Sequence, residues 1–315
     1  MKKSDKIFVA GHRGLVGSAI KRELEVQGFT NILVKTHQEL DLTDSAAVAE
    51  FFEKEKPQYV ILAAAKVGGI LGNNTYPVEF FTENMKIQLN VIENSFKNNV
   101  KKLLFLGSSC IYPKNASQPM KEEYLLSSKL EKTNEMYALA KISGLKLCSA
   151  YNREYGTDYI SVMPCNLYGL NDNYDLKNAH VLPMLVRRFH EAKVNNQSEV
   201  VVWGTGMPKR EFMYAGDLAK AVVFLLKNKS ASEIGEFINI GTGEEITILE
   251  LAELIKEVVG FKGRIVFDTS KPDGTMRKLM DVSRINKLGW HAQTSLKDGI
   301  KLVYEDFLNN RNIRL

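Results

Sequence analysis

The segment IFVAGHRGLVGSAI joins a short apolar run to an amphipathic one through Gly11, Gly14 and Gly17, and it limits what this chain can fold into more than any other feature. Glycines three apart at a strand-to-helix junction permit a tight turn. They also let a diphosphate approach backbone N–H groups at the positive end of the helix dipole. The alternative is a plain β-turn-helix whose glycines serve packing alone. The first half of the chain favours the first reading, because apolar runs at 6–10, 31–35, 59–63, 102–106 and 159–163 alternate with helical patterns at 15–27, 45–54 and 78–98 and around Tyr137. Such alternation predicts stacked βαβ units, hence an α/β fold with a doubly wound parallel sheet buried on both faces.

Beyond Pro164 the rhythm changes. An irregular stretch to Ala179 precedes a helix at 183–193, a β-like VVVWG, a helix at 216–227 and a strand-like FINIG; a helix after Thr247, RIVFD, the polar loop SKPDGTMRK and a last helix follow. This reads as a Rossmann unit of residues 1–164 plus about 209–240, with a second, smaller α/β unit of about 165–208 plus 241–315 interleaved with it. The net charge of +5 suits an anionic ligand but falls short of a nucleic-acid-binding signature. Neither a membrane span nor a signal peptide is apparent, which predicts a cytoplasmic protein. Cys110, Cys148 and Cys165 have no metal-ligand spacing and predict neither zinc nor a disulfide framework.

In EMYALAKISGLKL, Tyr137 and Lys141 lie four apart and share one helix face. An ammonium beside a phenol lowers its pKa from about 10 towards the range of a general acid. Ser108, in FLGSSCIYP, falls just past a strand at the carboxyl edge of the sheet, where ligands of such folds bind. The alternatives are a turn or cap serine and a half-buried surface pair.

An acid at the end of the second strand would bind an adenosine ribose hydroxyl, but LVKTHQE offers Lys35 and His37 there instead. With Arg13 in the glycine loop, these cations favour NADP(H) over NAD(H). Asp41 is read as meeting the adenine or capping the helix near Ser45.

GHRGLVGSAI, AAAKVGGI with NNTYP, GSSCIYPK, YALAKISGLKL, NLYG, HVLPMLVRRFHEA and PDGTMRKLMD together resemble the GDP-L-fucose synthase family of the extended short-chain dehydrogenase/reductases, over nearly the whole chain. The resemblance implies epimerisation at C3 and C5 of a GDP-4-keto-6-deoxy-D-mannose, followed by NADPH-dependent reduction at C4. It implies Ser108, Tyr137 and Lys141 for ketone reduction, with Cys110 and His180 as the pair that moves protons at the α-carbons. A small buried hydrophobe is the alternative for Cys110, and a helix cap for His180.

The cofactor residues it implies are Gly11, His12, Arg13, Gly14, Leu15, Val16, Gly17, His37, Asp41, Leu42, Leu106, Gly107, Lys141, Pro164, Asn166, Leu167 and His180. Arg188, Trp203 and Arg210, with Asp273 and Lys278, are implied for the nucleotide sugar, and a homodimer for the assembly. Cys165 stands where the resemblance leads one to expect threonine, and His37 where relatives often carry arginine. A C4-reductase of a related GDP-4-keto-heptose, without epimerase activity, is the competing reading.

Overall fold

The computed structural model describes residues 1–176, 179–271 and 273–310. In chain order the first half contains β1 (Ile7–Ala10), α1 (Leu15–Val26), β2 (Ile32–Leu33), α2 (Ser45–Glu55), β3 (Tyr59–Leu62), α3 (Ile70–Thr75), α4 (Pro77–Lys97), β4 (Lys102–Leu106), α5 (Glu135–Tyr155) and β5 (Tyr159–Pro164). The second half adds β6 (Asn166–Tyr168), α6 (Val181–Val194), β7 (Glu199–Trp203), β8 (Lys209–Arg210), β9 (Phe212–Tyr214), α7 (Ala215–Asn228), α8 (Ala231–Ile234) and β10 (Ile238–Ile240). It ends with β11 (Ile246–Thr247), α9 (Ile248–Val259), β12 (Arg264–Asp268), β13 (Arg277–Lys278), α10 (Ser283–Lys287) and α11 (Leu296–Asn309).

Six strands form one sheet in the order β10-β5-β4-β3-β1-β2, and every pairing in it is parallel. The doubly wound prediction is met. Strands β1, β4 and β5 carry almost wholly buried runs, as a sheet covered on both faces requires. The order in which strands are added reverses between β1 and β3, so the crevice beyond their carboxyl ends is the place for a ligand. Gly11, at φ +87°, turns out of β1 there, and a Cβ on it would lie 2.7 Å from the Ala64 nitrogen beyond β3.

Two apolar clusters are present. The larger surrounds the six-stranded sheet and includes Met280, Val282, Ile285 and Trp290 from late in the chain. The smaller joins α6, β7, α9 and α11 through Phe189, Val202, Leu251, Ile255 and Ile300, with Phe212 also in it.

Several local expectations shift. The second strand shrinks from five residues to Ile32–Leu33. The stretch read as irregular holds β6, and the loop read as polar holds β13; Lys177, Asn178 and Pro272 lie outside the described residues. Strands of two or three residues are too short to show an alternating pattern. The cap of α2 is Asp44, which accepts from the Ala46 and Ala47 N–H groups, whereas Asp41 closes a turn on Thr43. No described helix is long and apolar enough to cross a membrane.

Candidate active site

At the glycine loop, Gly14 N–H donates to the Gly11 carbonyl at 3.0 Å and Gly14 then precedes α1 without a side-chain cap. The N–H groups of Leu15, Val16 and Gly17 open the helix, and no acidic side chain lies in that first turn. Such donors at a helix N-terminus suit an anion. The three glycines have different causes. A Cβ at Gly17 would lie 2.2 Å from the Gly11 oxygen, so helix and loop could not close together. At Gly14 a Cβ would meet nothing nearer than that same oxygen at 3.4 Å, and φ is −78°. Nothing in the protein demands glycine at position 14, which fits a diphosphate passing over it.

Gly17→Ala therefore forces the loop apart. Overpacking of this kind costs about 1–3 kcal/mol, and NADPH affinity is expected to fall about tenfold or more in a fluorescence titration, together with the melting temperature. Wild-type affinity in that variant would remove Gly17 from the cofactor cradle.

At the adenosine end Arg13 is exposed. The His37 side chain is 81% exposed, with Nδ1 3.8 Å from the Asp41 carboxylate. His12 is held below its ordinary value of 6.5, by burial first and then by Arg13 and Lys21. Leu42 is in the core, where its carbonyl accepts from Asn90 Nδ2, so its place is structural. Gly107 follows β4 and a Cβ there would strike the Met163 side chain at 2.2 Å. Pro164 ends β5, while Asn166 and Leu167 lie in β6.

Ser108 is the meeting point of the chemistry. Its Oγ is hydrogen-bonded to Cys110 Sγ at 2.8 Å and accepts from the Cys110 N–H at 3.3 Å, and Ser108 is close enough to the Tyr137 phenol to lower its pKa. It thus caps the turn and neighbours both reactive groups. Tyr137 packs edge-on against Phe80, with centroids 6.3 Å apart, and Phe80 in turn fills the space left by Gly68 and Gly72 of the KVGGILG segment. Lys141, only 4% exposed, donates to the Leu106 carbonyl at 2.8 Å, with Nζ 5.0 Å from the Phe105 ring centre and 5.9 Å from that of Tyr137.

The charges behave differently from the sequence expectation. Burial, reinforced by Cys110, pushes the Tyr137 phenol above its ordinary value, and Ser108 only partly opposes this. Burial also lowers Lys141 to about 8. The expected lowering of the phenol by the ammonium is corrected here, because Lys141 is directed at a carbonyl and desolvation dominates.

His180 stands at the N-terminus of α6 but its side chain makes no cap bond. The ring is reached by solvent, yet the surrounding protein lowers its pKa below 6.5. The shift favours the neutral imidazole, a proton acceptor. No described hydrogen bond joins it to Ser108, Cys110 or Tyr137.

Further out, Trp203 is 55% exposed at the end of β7, with the Arg188 guanidinium 5.4 Å and the Lys271 ammonium 5.8 Å from its ring centre. Arg188 also donates to the Val201 carbonyl. Arg210 and Lys278 are register partners on the adjacent strands β8 and β13. Lys278 is held below its ordinary value by burial, with Cys110 opposing that shift, and lines one recess with Cys110, Asn134 and Thr275. Asp273 turns away, binding Thr205 N–H at 2.9 Å and its hydroxyl at 2.7 Å. It serves first to tie two loops together.

Glu211 escaped the sequence reading although it is fully buried one residue from Arg210. A signal was available: it is a lone acid entering the apolar run FMY in KREFMY.

The chain matches the profile of the NAD dependent epimerase/dehydratase family over residues 7–241. It is 62% identical over 308 residues to GDP-L-fucose synthase 1 of Arabidopsis thaliana, covering 98% of this chain and 94% of the relative. To GDP-L-fucose synthase of Escherichia coli (strain K12) it is 53% identical, covering 98% of each. The solved GDP-mannoheptose C4 reductase from Campylobacter jejuni with NADP bound superposes with a TM-score of 0.91 at 43% identity, covering 98% of this chain and 99% of that one.

Proposed function

The chain belongs to the NAD dependent epimerase/dehydratase family, and on that premise we propose that it is a GDP-L-fucose synthase, epimerising GDP-4-keto-6-deoxy-D-mannose at C3 and C5 and reducing C4. The observation that carries this reading is the place of Ser108. Its hydroxyl is 2.8 Å from the Cys110 thiol, and it is close enough to the Tyr137 phenol to act on its pKa. A proton carrier for an α-carbon and a donor for a carbonyl oxygen therefore share one substrate carbonyl.

Both steps place charge on the same oxygen. Loss of a proton α to C4 makes an enolate, which Ser108 and Tyr137 stabilise by hydrogen bonding. Cys110 and His180 act at the α-carbons, one taking a proton and the other returning one to the opposite face. In the reduction Tyr137 gives its proton to the developing alkoxide. NADP(H), when bound, supplies the hydride. The N–H groups of residues 15–17 and Arg13 would hold its phosphates, and Lys141 its nicotinamide ribose.

The outer cations suit the rest of the ligand. Trp203, an exposed ring near two cations, offers an aromatic surface for stacking. Arg188 and Arg210 suit diphosphate oxygens. The two apolar clusters support division into a cofactor-binding unit and a nucleotide-sugar unit. Cytoplasmic location and a homodimer complete the proposal; for the latter, Val78, Leu89 and Tyr155 leave large apolar side chains exposed on α4 and α5.

A C4-reductase of a GDP-4-keto-heptose is the second reading, favoured by the likeness to the Campylobacter reductase. Incubation of GDP-4-keto-6-deoxy-mannose with NADPH in D2O, followed by NMR, separates them. Deuterium at C3 and C5 of a GDP-L-fucose product is the expected result. Reduction without deuterium would support the reductase, and no NADPH oxidation with either sugar would overturn both.

A further inference from the structure

We infer that Glu211 is a positioning residue for the nucleotide sugar: its buried carboxylate pins the three short strands that carry Arg210 and Lys278 into the site. This rests on the assignment of those two cations to the substrate. Glu211 is 0% exposed and, among the described residues, forms no ion pair. A carboxylate buried in that way is costly unless hydrogen bonds satisfy it. Here Oε1 accepts from the Thr242 N–H at 2.6 Å and the Gly243 N–H at 2.8 Å, and Oε2 from the Met280 N–H at 2.9 Å. Gly241 makes room for it, since a Cβ there would lie 2.2 Å from Oε1.

The positions of those donors matter. Strands β11, β8 and β13 form a sheet in that order, each two residues long. Arg210 is at its centre, facing Ile246 across one pairing and Lys278 across the other. Two-residue strands make few ladder bonds, so register is weakly held by the backbone alone. Glu211 follows Arg210 directly, Thr242 and Gly243 lead into β11, and Met280 comes two residues after Lys278. One carboxylate therefore fastens both outer strands to the central one. On the other side, the Glu211 carbonyl accepts from Asn166 Nδ2 at 3.0 Å, a link to the cofactor side that a change of the side chain leaves in place.

The test is Glu211→Gln in the full chain. A glutamine sets an NH2 group against N–H donors and loosens β13 and β11 while nearly keeping the volume. Misplacement by about 1 Å costs up to a hundredfold in well-oriented sites. The expected result is a rise of about tenfold or more in the KM for the GDP-4-keto sugar and in the Kd for GDP measured by calorimetry. NADPH affinity stays within about twofold, because the backbone donors that the carboxylate holds are those of Thr242, Gly243 and Met280 and not those of the glycine loop.

Unchanged GDP affinity in E211Q, or equal loss of GDP and NADPH binding, would overturn the inference. Should E211Q not fold, Gly241→Ala decides it by pressing on Oε1 from outside: the same split supports the role, and loss of both ligands or of neither refutes it. A wild-type protein that binds NADPH but no GDP would instead sink the substrate assignment, and the inference with it.

Discussion

Tyr137→Phe is expected to lower kcat for ketone reduction by about a thousandfold, the middle of the range for removal of a general acid, while NADPH binding survives. The ring stays where it is. Its edge-on contact with Phe80 needs no hydroxyl, and Lys141 keeps its 2.8 Å bond to the Leu106 carbonyl. What disappears is the phenolic hydroxyl beside Ser108, and the proton with it. Because burial holds the phenol above its ordinary value, wild-type Tyr137 remains protonated through the physiological range and is a stocked donor. Stopped-flow NADPH oxidation together with a cofactor titration checks this. Retention of more than about a tenth of wild-type kcat would assign the proton to another group.

The second large effect falls on carbon. Cys110→Ser should cut deuterium uptake at C3 and C5 by about a hundredfold or more, while C4 reduction of an already epimerised GDP-4-keto sugar persists. Serine preserves the contact with Ser108 and the backbone bond, so the local turn stands, but a hydroxyl exchanges protons near neutrality far less readily than a thiol. His180→Asn provides the complementary result. With the opposite-face partner gone, partly exchanged sugar accumulates, visible by NMR before any reduced product. Wild-type exchange in both variants would show that neither side chain carries the proton.

The resemblance of the Ser108 cluster to a single machine depends on distances that no spacing rule supplies. Tyr137 and Lys141 were legible as a pair because four residues make one helical turn, and both lie on α5. Cys110 could be named from the family motif, but its Sγ at 2.8 Å from Ser108 is a property of the short turn after β4. The pKa expectation failed for a related reason. Proximity of the ammonium was readable, whereas the depth of burial, which dominates both groups, was not. Asp41 illustrates the same limit at short range: the choice between it and Asp44 as the helix cap rests on backbone angles settled only on folding.

What the sequence by itself determined was the alternation of buried strands with helices, the glycine turn at the first crossover and the helical pairing of Tyr137 with Lys141. All three depend on contacts within a few residues, where periodicity and backbone freedom act. Only the tertiary structure decided that Trp203 is exposed near Arg188 and Lys271, that Asp273 turns to Thr205, and that Glu211 meets Met280 across 69 residues of chain. Those encounters depend on two-residue strands and loops brought together by the burial of distant apolar faces, and such segments are too short to carry a pattern of their own.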